Sequence, residues 1–445
     1  MKEAWFGLRR DARAALLGAD TETRTGGALA LTFTIPHGII DASAMERTVD
    51  PRTMLDAFRR FLPPRDHTTW DGCSLERVRY RPGNSWCVLY RLTKSGDGAA
   101  APPHYYYAEF VPPARSLRRF LELRGRGGQA APSGFVAELN MIYWRFPADP
   151  RLAHLPAVYR EGTWNVVSYV PGTNCVLAGK YSGEPTILKL FHDDRAAQLG
   201  RVINAVRDAG ATAPRVLHVD VPRQLVVLEY VPGVLFWSEP AQHLNRDVMG
   251  AMARELARLH QARLPDETWK GLERVQLVER EWQRFQTVLP ELCQAFPGHA
   301  GRLESLASML EPLPESQDPV LLHGSFHPAQ FLIHHGTPRL IDFDSVCIGD
   351  PMYDLARFAS HLYDRGYVQR QETRDVEKAV SAFRSAYIAA ASSHFDAPRW
   401  FWYLSLSLVS KRAYQVLTRL EVNAASVVGH LLTIAEQNAV SIVRT

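Results

Sequence analysis

Three short stretches decide the reading: His323-Gly324-Ser325-Phe326-His327-Pro328-Ala329-Gln330, then Ile341-Asp342-Phe343-Asp344, then Gly349-Asp350-Pro351-Met352-Tyr353-Asp354-Leu355-Ala356. Residues 320–345 contain two short apolar runs, each leading into a polar loop, and such runs read as strands. A loop that delivers polar residues several positions apart, followed by a short hairpin ending in an aspartate, can bring those residues together. Phosphoryl transfer asks for such a set. It needs a group that positions the attacking hydroxyl, and carboxylate and amide oxygens that hold magnesium on nucleotide phosphates.

Upstream, Thr186-Ile187-Leu188-Lys189-Leu190-Phe191 is an apolar strand carrying one lysine suited to phosphate oxygens. Leu225–Gly233, LVVLEYVPG, reads as a buried strand running into a turn, with backbone groups for an adenine edge. Between them, 195–210 has Ala196, Leu199, Ile203 and Val206 at helical spacing and Gly210 as its stop. Helical patterns then cover 245–262, 273–293 and 300–311, and recur from 370 to the end.

A second β-rich region lies nearer the N-terminus, in LERVRYRPGNSWCVLYRL (75–92) and HYYYAEFVPP (104–113). Tyr80-Arg81-Pro82-Gly83 precedes Cys87-Val88-Leu89, as Tyr169-Val170-Pro171-Gly172 precedes Cys175-Val176-Leu177. This pair reads as an imperfect internal repeat or as two unrelated hairpins that share a Pro-Gly turn. Glu109 stands where the second copy has Lys189. Residues 1–70 read as mixed helix and loop, and 123–134 as a Gly- and Pro-rich loop.

Taken in order, these motifs resemble the aminoglycoside phosphotransferase / choline kinase-like family, whose loop reads HGDxHxxN and whose metal strand reads IDF or IDW followed by GDPxxDLA. The resemblance runs from about Trp164 to the C-terminus and includes Glu255-Leu256-Ala257-Arg258-Leu259-His260. It implies an α+β, two-lobed protein kinase-like fold with a small β-rich lobe and a larger helical one. Residues 151–233 would form the small lobe and 234–445 the helical lobe, with 1–150 as an N-terminal cap extension. The resemblance implies ATP and magnesium in the cleft. Pro171-Gly172-Thr173, Lys189, Glu229 and Val231 would hold the nucleotide, and Gln330 and Asp342 the metal.

The chain departs from that pattern at the centre of the loop. Ser325 replaces the family's catalytic Asp, and Gln330 replaces its metal-binding Asn with a stem one methylene longer. The Glu that partners the lysine on the following helix is missing from 193–210, and Gln198 or Arg201 is expected at the position that faces the cleft. Asp350 and Asp354 read as loop and cap supports. His323, Ser325 and His327 are the loop's candidate catalytic groups. A serine without an adjacent base is a poor proton acceptor, whereas His327 titrates ordinarily at about 6.5 and can act as a base.

Two functions fit. One is ATP- and Mg-dependent phosphoryl transfer to a hydroxyl of a small molecule or peptide. The other is a pseudokinase that keeps the fold, binding nucleotide or a protein partner without turnover.

Lys and Arg number 51 against 47 Asp and Glu in 445 residues, net +4, too even to point to a nucleic acid or a membrane surface. Five scattered cysteines without C-x-x-C spacing signal neither a disulfide framework nor a zinc site. No apolar segment approaches membrane-spanning length and the N-terminal stretch lacks a leader's apolar core, so a cytoplasmic location is expected.

Overall fold

Two five-stranded sheets of the same topology follow one another along the chain. The computed structural model describes residues 41–62, 69–81, 85–97, 102–125, 127–238, 244–421 and 423–444. The expected Pro82-Gly83 turn and residues 1–40 lie outside them. In the first sheet, β1 (Gly72–Arg81), β2 (Ser85–Thr93), β3 (His104–Phe110), β4 (Gly134–Val136) and β5 (Met141–Arg145) are ordered β1-β2-β3-β5-β4. In the second, β6 (Asn165–Val170), β7 (Asn174–Tyr181), β8 (Glu184–Phe191), β9 (Val216–Asp220) and β10 (Leu225–Glu229) are ordered β6-β7-β8-β10-β9. Each third strand runs into a helix, Pro113–Gly125 in the first unit and Ala196–Asp208 in the second. The shared order favours the internal repeat over two unrelated hairpins.

The copies are offset by one residue. Glu109 pairs with Cys87, whereas Lys189 pairs with Val176 and Leu190 with Cys175. Glu109 therefore matches Leu190 in register, not Lys189. It faces Arg119 of the following helix at 3.7 Å. The Gly- and Pro-rich loop expected over 123–134 begins only after this helix, which ends at Gly125.

Alternation along β8 sets the site. Leu188 and Leu190 point to one face and pack with Leu177, Leu225 and Val227, with Leu152 and Leu155 of the segment between the sheets, and with Leu89 and Phe146 from the first unit. Lys189, between them, points to the other face, toward the large lobe. Burial of this shared apolar layer is what attaches the first unit to the second.

Asp149 tightens that junction. It is fully buried and accepts the backbone N–H groups of Arg151 (2.7 Å) and Leu152 (2.7 Å). It also accepts the Tyr169 hydroxyl (2.8 Å) and the Gly172 N–H (2.9 Å) at the β6–β7 turn. Gly172 has φ +70°, a conformation glycine adopts without steric cost.

Beyond Glu229 the chain crosses to the large lobe, where Val234 and Leu235 pair with Ile333 and Leu332. Helices Arg246–His260, Leu277–Ala295, Ala300–Met309, Pro351–Val368, Thr373–Ala391, Ala397–Leu406 and Ala424–Arg444 enclose the loop region. The helix expected from 273 starts at Leu277 because its preceding backbone is used elsewhere. Val275 donates to Ile348 and Ile348 to Glu273. Phe326 is fully buried among Phe331, Phe358 and Phe383 and anchors the 323–330 loop in this core. Among the described residues no helix is long and apolar enough to cross a membrane.

Asp149→Ala removes the acceptor of four donors, three of them in buried hydrogen bonds. It should lower the free energy of unfolding by about 3 kcal/mol, read as a shifted denaturant midpoint. Asp149→Asn, which keeps one acceptor oxygen, should lose less.

Candidate active site

Lys189 is the point where the lobes meet. It is 7% exposed, and its ammonium donates to Asp342 Oδ1 and to Asp344 Oδ1, the latter at 2.6 Å. Burial works against the lysine's charge, but the two carboxylates override it and raise its pKa. Burial likewise opposes the charge on Asp342, yet Lys189 holds its carboxyl below the usual carboxylate range. Burial, joined by the like charge of Asp342, lifts Asp344 to about 6 against the pull of Lys189. Asp344 was not singled out from the sequence. Its signal was the i, i+2 spacing of the two acids in Ile341-Asp342-Phe343-Asp344.

Neither residue offered in place of the helix Glu reaches Lys189. Gln198 donates across the cleft to the Gly271 carbonyl at 2.7 Å, and Arg201 is exposed. Arg195, just before the helix, donates to the Asp344 carbonyl at 3.2 Å.

The 323–330 loop is held by Asp354. That carboxylate is fully buried and accepts the backbone N–H of His323 (2.7 Å) and of Gly324 (3.1 Å), with His260 Nε2 at 3.5 Å. Gly324 has φ +77°, and a Cβ there would stand 2.0 Å from the Ser345 carbonyl oxygen, so only glycine fits. Asp350 caps the Pro351–Val368 helix through the Met352 N–H and pairs with Arg399 at 2.8 Å. Both aspartates are structural supports, as read.

Within the loop, Gln330 Nε2 donates to Ser325 Oγ at 2.9 Å and lies 3.5 Å from Asp342 Oδ2. Gln330 Oε1 accepts the His327 N–H at 3.2 Å. Ser325 Oγ lies 3.4 Å from His323 Nδ1, and His323 Nε2 is 3.1 Å from the Ile341 carbonyl. A carbonyl only accepts, so Nε2 carries the proton and Nδ1 presents a lone pair to Ser325. The serine thus has an adjacent base, contrary to the sequence reading. That base is His323, which burial keeps neutral by lowering its pKa. His327 makes no hydrogen bond to Ser325; its ring packs against His361 instead.

The expected nucleotide contacts are arranged unequally. Gly172 gives its N–H to Asp149, so that amide is already engaged, and Thr173 donates to the Val170 carbonyl beside Pro171. The Glu229 carboxylate accepts the Arg215 N–H at 2.7 Å and its own N–H goes to the Arg215 carbonyl. Val231 lies in the strand-to-lobe link just before β-pairing resumes at Val234. Among the described residues no group of three His, Cys, Asp or Glu side chains is placed to hold a metal ion.

No curated protein matches the chain. Among solved structures it is similar to an amicoumacin kinase in complex with AMP-PNP, Ca2+ and Ami. The two share 17% identity over 62% of this chain and 88% of that one, with a TM-score of 0.45. It is similar to a spectinomycin phosphotransferase in complex with ADP and spectinomycin, at 10% identity, 62% and 93% coverage and TM-score 0.44. An aminoglycoside phosphotransferase from Streptomyces rimosus shares 19% identity over 57% and 94%, with TM-score 0.38. The model of the phosphotransferase enzyme family matches residues 176–401, a span that holds Lys189, the 323–330 loop, Asp342 and the 349–356 run. The chain is a member of the phosphotransferase enzyme family, with that family's protein kinase-like fold.

Proposed function

We propose that this protein transfers the γ-phosphoryl group of ATP to a hydroxyl of a small molecule in the cleft between its lobes. The observation that carries the reading is Lys189, buried in the small lobe and paired with Asp342 and Asp344 of the large lobe. A buried ammonium aimed at two carboxylates is poised to exchange one of them for phosphate oxygens.

Asp342 and Gln330 offer a carboxylate and an amide oxygen, the hard donors that magnesium takes alongside phosphates and water. The Gln330 amide would turn over to present its oxygen, since Oε1 now accepts from His327. When bound, the ion would neutralise charge on the phosphates and hold them for transfer. Val231 in the link is the backbone candidate for an adenine edge.

The proton goes through the serine. The acceptor hydroxyl attacks phosphorus and gives its proton to Ser325 Oγ, as the Ser325 proton passes to His323 Nδ1. As the side chain stands, Gln330 Nε2 donates to Ser325 Oγ; once the amide turns its oxygen to the ion, the contact with His323 Nδ1 alone orients the hydroxyl for that exchange. Proton acceptance contributes about 10²–10⁴-fold, and positioning with electrostatics supplies the larger share of phosphoryl transfer. Loss of the Asp therefore leaves most of the catalysis in place. Residues 1–150 act as a cap on the small lobe, since their sheet packs on it and their Glu109–Arg119 pair carries no lysine for phosphate.

Isothermal titration should show ATP and ADP binding to the full chain, weakened by Lys189→Ala. Absence of heat up to millimolar nucleotide, with or without magnesium, refutes nucleotide binding. Ser325→Ala should lower kcat by about 10²-fold with little change in KM, and Ser325→Asp should match or exceed the parent. The scaffold reading takes over if the parent, Ser325→Asp and Asp342→Ala share one ATP-hydrolysis baseline.

The pH profile tests for a buried base against the ordinary titration expected of His327, since burial lowers the pKa of His327 as well as that of His323. His323 accepts the proton only when neutral, and its pKa is lowered, so activity should hold down through the ordinary histidine range and fall only below it. An acid limb at about 6.5 would instead assign the step to an unperturbed imidazole.

A further inference from the structure

Beside the loop stands a group of cations and imidazoles that the phosphoryl-transfer reading does not use. The rings of His327 and His361 are 4.3 Å apart. Arg357 and His361 lie one turn apart on the Pro351–Val368 helix. Arg412 comes from the π-helical turn Ser407–Ala413, where every residue is buried and the neighbours Lys411 and Arg412 both face the interior. Such turns interrupt regular helices at functional positions more often than elsewhere.

The two cations of that turn are treated differently. Lys411 is neutralised by Glu281 at 3.0 Å and donates to the Tyr353 hydroxyl at 2.6 Å. Arg412 has no such partner. Its Nη1 lies 3.3 Å from His361 Nδ1, and a guanidinium can only donate, so the His361 proton resides on Nε2. That Nε2 is buried without an acceptor. So are Nε of Arg357 and Nε of Arg412, and His327 Nδ1 is buried without a partner.

Among the described residues neither Arg357 nor Arg412 forms an ion pair with a carboxylate. Asp342 acts on His327 and Asp364 on Arg412 electrostatically without an ion pair, and Asp364 Oδ1 is itself buried without a hydrogen-bond partner. Burial lowers the Arg412 pKa to about 9, which leaves it charged at neutral pH. Three buried N–H donors on three side chains, two of them cationic, lack an acceptor. Leaving such donors unpaired is costly, and an oxyanion is the acceptor whose charge and lone pairs suit them.

We propose that Arg357, His361 and Arg412, with His327, bind the anionic group of the acceptor, so that the substrate is a hydroxyl compound bearing a carboxylate or phosphate. The site adjoins Ser325 through His327, two residues along the same loop. In the transfer the acceptor's anionic group is unchanged; its hydroxyl oxygen gains the phosphoryl group, its proton leaves through Ser325, and ADP departs. Identification of the bound anion as the acceptor rests on the phosphotransferase reading; the binding site does not.

The test is titration calorimetry on the full chain with inorganic phosphate, sulfate, glycerol 3-phosphate, D-glycerate, glycerol and choline, with ADP titrated in parallel. The anions should bind, and glycerol and choline should not. Glycerol 3-phosphate against D-glycerate separates a phosphate-bearing from a carboxylate-bearing acceptor. Arg357→Gln, at a partly exposed position, should weaken anion binding about 10- to 100-fold with the unfolding midpoint retained. His361→Gln should weaken it as well. The inference is overturned if no anion binds, if choline or glycerol binds as well as the anions, or if Arg357→Gln binds them as tightly as the parent. ADP binding without anion binding removes this inference and keeps the nucleotide reading. Anion binding without ADP binding upholds the site and removes the phosphotransferase assignment.

Discussion

The ion cluster of Lys189, Asp342 and Asp344 is the constraint on which the cleft depends. One cation from the small lobe is shared by two carboxylates of the large lobe; Lys189 and Asp344 are shielded from water, while the Asp342 side chain is 42% exposed and its share of the attraction is screened by solvent. The helix after β8 contributes no carboxylate, so the lysine's counter-charge comes from across the cleft. Gln198 and Arg195 reach the same way, to the Gly271 and Asp344 carbonyls. Arg195 is also held by Asp193 within the small lobe, so this corner is tied on both sides of the cleft. Nucleotide phosphates entering here would compete with these carboxylates for one ammonium.

The large lobe shows the complementary logic. Asp354 holds the backbone of His323 and Gly324, Gly324 admits the close approach of Ser345, and Phe326 is fixed in the aromatic core. With the loop's ends and centre fixed, small side chains decide its chemistry. Ser325 in a carboxylate's position creates a hydroxyl bridge between Gln330 and His323 rather than a void. Deeper in the lobe, the π-helical turn places a paired cation and an unpaired one side by side. Pairing Lys411 with Glu281 secures the fold, and leaving Arg412 without a carboxylate partner reserves it for a ligand.

Local patterning explains what could be read in advance. The strand lysine, the 323–330 loop, Asp342 and the Asp350 and Asp354 supports sit in short motifs whose spacing carries their geometry. Helices such as Ala196–Asp208 and Ala300–Met309 announce themselves by period. The remainder depends on contacts between distant segments. The one-residue offset between the two sheets comes from strand register, which the matching Cys-Val-Leu runs conceal. The use of Asp149 on the Gly172 amide joins residues from two different units. The base beside Ser325 is two residues away in sequence, yet only the turn at Gly324 brings its ring nitrogen into reach. The cluster of His327, His361, Arg357 and Arg412 draws on a loop, a helix and a π-helical turn, and only His327 of the four lies within a motif.

Hydrogen–deuterium exchange on the full chain, with and without ADP and magnesium, tests the central claim most directly. The account predicts slower exchange concentrated in β8 around Lys189, in the 230–235 link and in 341–345, where nucleotide would replace the carboxylates that now hold the lysine. Unchanged exchange in all three segments, or protection confined to the first sheet, would contradict it.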